Sequence, residues 1–297
     1  MIIKGIHYGL TLLYSYLLPV MDVEDRPGGF RFRIKSKLIG SFNCLFYEDK
    51  LETTCKIDDV SDPCVIQRVL GIEKNNLFQE LCRYIGYEKC IFEQITLLYE
   101  PLLKKHIAYA IYLSRNTDFY ANTIRWVKEY IATGFIRSSS YIPREFIKNK
   151  DRIDNVLEGG NQPIVEAMEL LKIDGFGLKS IKAFLLHAYG FTDQAPIDTH
   201  YSEFLGSRRR VMVNKDHCIT IALNCVSCRK NCIYRNTIRK FGKYNGIIQS
   251  LSYIIAKLKK HVRPELLDVL VKNIDHYVEE LEGGLLMIKD RFLEQTR

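Results

Sequence analysis

The sequence predicts an α+β fold that is mainly α. A small antiparallel β-rich N-terminal lobe is followed by a helical body, a basic loop with clustered cysteines and a helical C-terminal tail. Residues 30–35 alternate apolar and basic side chains, which is the period of a half-buried strand. From Asp58 onward, apolar residues recur mostly every three or four positions, as in amphipathic helices. With 297 residues, 47% of them hydrophobic, the chain is long enough to bury a sizeable core.

The N-terminal lobe is predicted to be built from strands. Gly28 and Gly29 mark a turn, and residues 41–47 and 51–57 are predicted to form a hairpin. Residues 1–21 are apolar enough to suggest a signal peptide, but they lack a small-residue cleavage site and are too short to span a bilayer. We therefore interpret them as buried strand structure. The protein is expected to be intracellular, in the cytoplasm or nucleoid, or in the nucleus of a eukaryote.

The remainder is predicted to be helical, with Gly and Pro at the junctions. The chain is expected to divide into a lobe (1–60), a helical core (61–205), a basic cysteine loop (206–243) and C-terminal helices (244–297). Helices are predicted at 64–70, 76–84, 88–112, 117–132, 143–148, 151–157, 162–172, 179–189 and 198–205, and then at 244–260, 264–281 and 284–295.

Positive charge is concentrated in one stretch of the sequence. The net charge is +8, and residues 207–243 contain ten Lys or Arg against a single acid, Asp216. Such a stretch attracts polyanions, and neutralisation of phosphates supplies much of the affinity for nucleic acids. A solvated surface is the alternative explanation of the same charges.

The nine cysteines fall into two groups. Cys44, Cys55, Cys64, Cys82 and Cys90 are scattered singly, as buried structural thiols usually are. The other four are bunched, which predicts a metal site in a reducing compartment. They are Cys218, Cys225, Cys228 and Cys232, at the spacing Cys-x6-Cys-x2-Cys-x3-Cys.

Residues 171–184 carry a candidate phosphate-binding turn. One predicted helix ends just before Gly175-Phe176-Gly177, and the next begins near Lys179. Two glycines at a helix N-terminus leave backbone amides free to bind a phosphate oxygen. Phe176 is expected to point inward and pin the two helices together. An ordinary helix–turn–helix connection is the alternative.

A second loop follows at Ala195-Pro-Ile-Asp-Thr-His200, with Asp198 at a predicted helix N-cap. Residues 173–179 together with residues 196–200 resemble the hairpin and aspartate signature of the helix-hairpin-helix DNA glycosylase superfamily, which contains endonuclease III and 8-oxoguanine glycosylase. The resemblance implies that Lys179 is the nucleophile and that Asp198 is its catalytic partner. It also implies the bifunctional glycosylase/AP lyase branch, because members that only hydrolyse the glycosidic bond lack this lysine.

Two further segments resemble parts of the same family. Residues 113–122 are similar to a helix-to-helix corner that inserts a polar wedge where the target base has left the stack, and this makes Asn116 the candidate wedge. A simple capping role for Thr117 and Asp118 is the alternative. Residues 27–33 are similar to the N-terminal domain of eukaryotic-type 8-oxoguanine glycosylases, in which a glycine carbonyl reads the base. Gly28 is the nearest equivalent, and a plain turn glycine is its alternative reading.

The first two gaps of the cysteine cluster equal those of the endonuclease III iron–sulfur loop, but its last gap is two residues shorter. A [4Fe–4S] cluster is favoured on this resemblance, and zinc remains open because four thiolates suit either metal. A metal would rigidify the loop that carries Arg229 and Lys230 and so present these cations to DNA phosphates.

The sequence therefore predicts a monomeric DNA-repair enzyme without a membrane partner, acting on double-stranded DNA that contains a damaged base. It would excise an oxidised base through a lysine Schiff base and β-elimination, with 8-oxoguanine favoured. Two alternatives stay open. One is an endonuclease III-like lyase for oxidised pyrimidines, and the other is a non-catalytic helix-hairpin-helix module that only binds DNA.

Overall fold

The computed structural model describes residues 1–60, 62–87, 90–206, 214–260 and 264–293. It confirms the predicted α+β, mainly α fold class, with an antiparallel sheet near the N-terminus and helices after it. Its contacts divide the chain into two compact units. The first unit comprises residues 1–102 and 250–297, and the second comprises residues 103–249. Residues 61–102 of the predicted helical core and residues 250–297 of the predicted C-terminal helices thus belong to the same unit as the sheet, whereas residues 103–205 of the core belong to the unit of the cysteine loop.

The strands form one five-stranded antiparallel sheet in the order β1-β5-β4-β3-β2. Their bounds are β1 (Ile2–Lys4), β2 (Asp22–Arg26), β3 (Gly29–Ser36), β4 (Gly40–Tyr47) and β5 (Glu52–Asp58). The predicted turn and hairpin are therefore confirmed. The helices of the described residues are α1 (Tyr8–Leu12), α2 (Pro63–Val69), α3 (Ile72–Ile85), α4 (Lys104–Leu113), α5 (Ile124–Thr133), α6 (Tyr141–Glu158), α7 (Pro163–Leu171), α8 (Leu178–Tyr189), α9 (Thr199–Phe204), α10 (Lys215–Thr220), α11 (Ile233–Phe241), α12 (Asn245–Leu258), α13 (Glu265–Leu270) and α14 (Ile274–Leu293).

Aromatic side chains fill the inner face of the sheet. Phe32 on β3 is paired in register with Cys44 on β4, and Phe30 is paired with Phe46, so all four side chains lie on one face. They are buried, and the ring centroids of Phe30 and Phe46 are 5.2 Å apart. Tyr8 of α1 packs against Phe32 at 5.3 Å. Burial of these large rings stabilises the unit, because each removes a large apolar area from water.

The prediction of strand structure for residues 1–21 is wrong except at β1. The segment contains α1 and a 3₁₀ turn at Leu18–Val20. Every residue of α1 is buried, so no polar face marks the helical period. A continuous apolar run cannot be assigned to strand or helix from periodicity alone.

The long helix predicted at 88–112 is also wrong. Residues 91–94 form a short 3₁₀ turn, residues 95–100 are not helical, and α4 begins only at Lys104. Pro101 explains the break, because proline lacks an N–H and disfavours helical backbone in the residue before it. Glu100 is instead buried, where its carboxylate accepts hydrogen bonds from Arg68 Nε at 3.0 Å and from the Leu102 amide at 2.9 Å.

Two predicted helix breaks lie in the wrong place. The helices expected at 143–148 and 151–157 are one continuous helix, α6, because the residues between them carry no helix breaker. The break predicted before residue 284 is at 271–273, and α14 runs through Gly283 and Gly284. These glycines serve packing, since a Cβ on Gly284 would lie 2.3 Å from the Phe92 ring.

Four of the scattered cysteines are paired, which corrects their interpretation as single thiols. Cys44 and Cys55 lie opposite each other on β4 and β5 and form a disulfide, and Cys82 of α3 is bonded to Cys90. Cys64 is free and exposed. Spacing along the chain did not reveal these pairs, because sheet register and helix packing bring them together. The inference of a reducing compartment therefore rests on the four clustered cysteines alone.

The second unit is built around α4. Every residue from Ile107 to Leu113 is buried, and α4 packs against α5, α6 and α8. α7 packs in turn against α6 and α8. The ends of α4 and α7 each lead directly into a loop that carries a predicted site residue, so this core fixes both loops.

Candidate functional site

The turn between α7 and α8 has the geometry expected of a helical hairpin. Gly175 has φ +94°, a region that residues with a side chain rarely adopt. Phe176 is buried, which confirms its predicted inward orientation, and its ring packs on Tyr112 of a further helix, α4, at 5.3 Å. Gly177 occupies the N-cap position of α8 with extended backbone. The backbone conformation therefore requires glycine at position 175 but not at position 177.

The carbonyl groups of this turn are held from two directions. The Tyr112 hydroxyl donates to the Asp174 carbonyl at 3.1 Å, and Lys215 Nζ of α10 donates to the Phe176 carbonyl at 2.7 Å. By contrast, no hydrogen bond of the described residues uses the amides of Gly175 or Gly177. A Cβ placed on Gly177 would meet no atom within 4 Å. Unpaired amides and open space at a helix N-terminus suit an anion.

Lys179 lies in the first turn of α8, immediately after the hairpin, and its side chain is exposed. It forms no hydrogen bond or ion pair with any residue that the structure describes. Its amine is thus not committed to a structural contact and is available to a ligand bound at the hairpin.

Asp198 is the N-cap of α9, which is the capping position predicted for it. One carboxylate oxygen accepts from the Tyr201 amide at 2.7 Å, and the other accepts from Gln249 Nε2 at 3.1 Å. The residue is half-buried. A carboxylate held by two donors at a helix N-terminus is fixed in orientation. Asp198 and Lys179 belong to the same unit, and no salt bridge joins them.

A buried hydrogen-bond network supports the Asp198 loop. The Tyr201 hydroxyl donates to Asn245 Oδ1 at 2.8 Å, and Asn245 Nδ2 donates to the Asp193 carbonyl at 3.0 Å. Burial raises the pKa of Tyr201 well above its ordinary value, and the nearby Asp198 charge raises it further. Tyr201 therefore acts as a neutral hydroxyl donor that ties α9 to the start of α12.

Asn116 occupies a strained corner after α4. Its φ is +49°, in the left-handed region that asparagine tolerates better than most residues. The side chain is exposed and makes no hydrogen bond within the described part of the chain. The capping role falls to Asp118 rather than Thr117, because one Asp118 oxygen accepts from the Tyr120 and Ala121 amides, each at 2.9 Å. Asn116 is thus presented to solvent by a corner that its neighbours fix.

The four clustered cysteines all lie in the second unit. Cys225 and Cys228 are buried, Cys218 and Cys232 are half-buried, and none is in a disulfide. Burial, together with the other three thiols, raises the pKa of Cys218 to about 11, although Lys182 opposes this shift. Burial also raises the pKa of Cys225. The thiols therefore lie close enough together to influence one another.

This donor set suits a thiophilic metal by its chemistry, because it offers four free sulfurs around one loop. In the arrangement seen, however, no group of three or more His, Cys, Asp or Glu side chains among the described residues is positioned to hold a metal ion. Arg229 and Lys230 in the same loop are exposed. Arg208, Arg209 and Arg210 of the predicted basic stretch lie outside the described residues.

Solved structures that share the fold of this chain include the following three. The Clostridium acetobutylicum 8-oxoguanine glycosylase/lyase in complex with double-stranded DNA containing cytosine opposite 8-oxoguanine has a TM-score of 0.57 and 13% identity, over 86% of this chain and 92% of that chain. The apo form of that enzyme has a TM-score of 0.55 and 13% identity, over 85% and 93%. MBOgg1 in complex with a low-affinity DNA ligand has a TM-score of 0.51 and 13% identity, also over 85% and 93%.

The chain therefore shares the fold of these 8-oxoguanine glycosylase/lyase structures. No protein-family model and no curated protein matches the sequence. None of the helices that the structure describes combines the length and hydropathy needed to cross a bilayer.

Within this glycosylase fold, the predicted site residues fall in both units. Lys179, Asp198, Asn116 and the cysteine loop belong to the second unit, whereas Gly28 belongs to the first. Gly28 has φ +75° in the turn between β2 and β3, and its carbonyl accepts from the Glu48 amide at 3.1 Å. The plain role as a turn glycine is therefore present, and base recognition by Gly28 stays a prediction.

Sequence reasoning missed the residues that hold these side chains in place. Gln249 orients Asp198, and Lys215 anchors the hairpin. The sequence held a weak signal for Gln249, because this polar residue directly follows Ile247 and Ile248 within a predicted helix. Lys215 carried no comparable signal, since it appears in the sequence as one of many basic residues.

Proposed function

We propose that this protein is a bifunctional DNA glycosylase and AP lyase that removes an oxidised base from double-stranded DNA, with 8-oxoguanine as the favoured substrate. The main support is the pairing of an unengaged lysine just after the hairpin with a fixed, half-buried aspartate in the same unit. The fold adds support, because a similar structure belongs to an 8-oxoguanine glycosylase/lyase.

In the proposed reaction, duplex DNA is held through its phosphates. The unpaired amides of Gly175 and Gly177 would bind a phosphate oxygen, and Arg229 and Lys230 would contact the backbone nearby. The damaged base must leave the stack before it can be attacked. Asn116 would occupy the space that the base vacates, since its side chain is exposed at a corner held rigid by Asp118.

The chemistry would centre on Lys179. Its neutral amine attacks C1′ of the deoxyribose, the bond from C1′ to the base breaks, and the base leaves after taking up a proton. Asp198 stabilises the positive charge that develops on the sugar. The lysine nitrogen then loses a proton, and the C1′–O4′ bond breaks as O4′ takes up a proton, which leaves the ring-opened sugar as a Schiff base on Lys179. This Schiff base acidifies C2′, and loss of a proton there expels the 3′ phosphate by β-elimination. Asp198 can assist the proton transfers, because among the residues that the structure describes its second oxygen accepts only from the neutral Gln249 amide.

Borohydride trapping tests this proposal. Wild type should form a covalent adduct with a duplex containing 8-oxoguanine opposite cytosine, and Lys179→Gln should form none, because the nucleophile is lost. Asp198→Asn should excise the base roughly 100-fold more slowly. Its fold should persist, because asparagine caps helices about as well as aspartate.

The alternatives give different results in the same assay. Trapping on an abasic or thymine glycol duplex but not on 8-oxoguanine would favour the lyase for oxidised pyrimidines. Binding to all duplexes without any adduct or strand cleavage would favour a non-catalytic DNA-binding module and would refute the lysine mechanism. Equal trapping by wild type and Lys179→Gln would show that another amine is the nucleophile.

We further propose that Cys218, Cys225, Cys228 and Cys232 hold a [4Fe–4S] cluster, with zinc as the second candidate. The presence of four free cysteines within one short segment, at a spacing close to that of the endonuclease III loop, supports this assignment. Such a group supplies a rigid cross-link when bound. The loop itself would position Arg229 and Lys230, while Lys215 of α10 holds the Phe176 carbonyl and so ties the loop to the hairpin.

A further inference from the structure

Arg115 connects two parts of the proposed site. It directly precedes Asn116, and its Nε donates to the Tyr112 carbonyl at 2.9 Å. Its Nη2 forms an ion pair with Glu145 of α6 at 2.9 Å. The guanidinium carbon lies 3.9 Å above the centre of the Tyr112 ring, and the side chain is only 19% exposed. A guanidinium held by stacking, a carbonyl and a carboxylate has little freedom to move.

The guanidinium group of Arg115 also packs against the hairpin. A Cβ on Gly175 would lie 2.2 Å from Arg115 Nη1 and 2.7 Å from its Cζ. It would lie 2.7 Å from the Tyr112 hydroxyl as well. Position 175 therefore requires glycine for two independent reasons, since its φ is +94° and Arg115 occupies the space of a side chain.

Tyr112 completes the connection. Its hydroxyl donates to the Asp174 carbonyl at 3.1 Å and accepts from Asn149 Nδ2 at 3.0 Å. Its ring is fully buried and meets Phe176 edge to face. Arg115 thus lies between an immobile ring and the hairpin glycine, so a shift of the hairpin requires a shift of the guanidinium.

We infer that Arg115 is a positioning residue that holds the Asn116 corner in fixed register with the hairpin leading into Lys179. The inference rests on the proposed function. Extrusion of the base at Asn116 and attack by Lys179 on C1′ would then be performed by one rigid frame. Lysine cannot replace Arg115 fully, because an ammonium neither stacks as a plane nor offers a fork of donors.

This role has a specific kinetic consequence. Excision of an intact base requires that the Asn116 corner keep a fixed position relative to Lys179, because the base must be kept out of the stack during attack. A preformed abasic site has no base to extrude, so its cleavage depends mainly on Lys179. Loss of Arg115 should therefore affect the first reaction more than the second.

The test compares Arg115→Met, Arg115→Lys and Glu145→Gln with the control Arg144→Met, which alters an exposed neighbouring arginine. Single-turnover rates are measured on an 8-oxoguanine:cytosine duplex and on an abasic duplex, with 2-aminopurine beside the lesion to report base extrusion. Arg115→Met should slow excision about tenfold or more while abasic cleavage stays within about threefold of wild type. The 2-aminopurine signal of Arg115→Met should fall in parallel with its excision rate. Arg115→Lys should excise at a rate between those of Arg115→Met and wild type, and Arg144→Met should excise at the wild-type rate.

An equal loss of both reactions, or no loss of either, would overturn the inference. Backbone amide exchange provides a readout that needs no activity. Exchange in Arg115→Met and in the milder Glu145→Gln should rise both in peptides covering 114–118 and in peptides covering 174–178. A rise confined to 114–118 would refute the coupling. If wild type neither excises nor traps, the proposed function fails by itself, and the exchange experiment still decides whether Arg115 couples the two loops.

Discussion

At the scale of single residues, the two hairpin glycines have different reasons for being glycine. Gly175 is fixed by the protein, through its φ of +94° and the adjacent Arg115 guanidinium. Gly177 has φ −108° and open space where a side chain would be. The protein's own packing therefore gives no reason for glycine at 177, and the close approach of a ligand to the backbone provides one.

Replacing each glycine by alanine separates the two reasons. Gly175→Ala should lower the free energy of unfolding by about 1–3 kcal/mol, because it introduces backbone strain and a clash with Arg115. Gly177→Ala should change it by less than about 0.5 kcal/mol, as for exposed substitutions generally. Chemical denaturation measures both values.

Binding to duplex DNA gives the complementary result for Gly177. The added methyl group of Gly177→Ala should weaken binding, because it faces the space assigned to a phosphate. Wild-type affinity in a Gly177→Ala protein of unchanged stability would contradict phosphate binding at this turn.

At the scale of elements, the cysteine loop is held by the helices that flank it. Cys218 lies in α10, and Cys232 is the N-cap of α11. From α8, the buried Lys182 donates to Gln194 and, at 3.4 Å, to the Leu223 carbonyl within the loop. The loop is therefore attached to the second helix of the hairpin even without a metal.

Metal analysis of protein purified without oxygen tests the proposed cluster. A [4Fe–4S] cluster should give about four iron atoms per chain with visible absorption, whereas a zinc site should give about one zinc atom. Cys225→Ser should lose the metal, and Cys64→Ser, which changes a free exposed cysteine outside the loop, should keep it. The proposal would be contradicted if wild-type protein bound no metal after reconstitution with iron and sulfide and also bound none after reconstitution with zinc.

At the scale of the whole molecule, stability should depend on pH through a buried imidazole. His187 of α8 is buried, and burial lowers its pKa from 6.5 to about 3. The folded protein therefore keeps His187 neutral at pH values where the unfolded chain binds a proton. Its contribution to stability is complete above about pH 6.5 and is lost as the pH falls toward 3.

His187→Gln should reduce this dependence, because glutamine does not titrate. Between pH 7.5 and pH 5, wild type should lose about 2 kcal/mol more of its free energy of unfolding than the variant. His276→Gln, at an exposed position, should behave like wild type. Denaturant unfolding at the two pH values measures the difference, and parallel losses in wild type and His187→Gln would contradict the assignment.

The sequence by itself determined the fold class, the hairpin and the candidate residues Lys179 and Asp198. These features depend on local chemistry, since glycines permit the turn, aspartate caps a helix, and alternation marks β3. Secondary structure was predicted wrongly where local sequence signals compete with one another or are absent. The fully buried α1 has no polar face to reveal its period, and Glu100 before Pro101 satisfies distant donors instead of continuing a helix.

Only the tertiary structure decided what holds the candidate site together. Contacts between residues far apart in the chain place Gln249 on Asp198, Arg115 on Gly175 and Lys215 on Phe176. The pairing of Cys44 with Cys55 likewise follows from the register of two strands. Side-chain periodicity reports which face of an element is buried, but which partner lies against that face depends on how the elements pack.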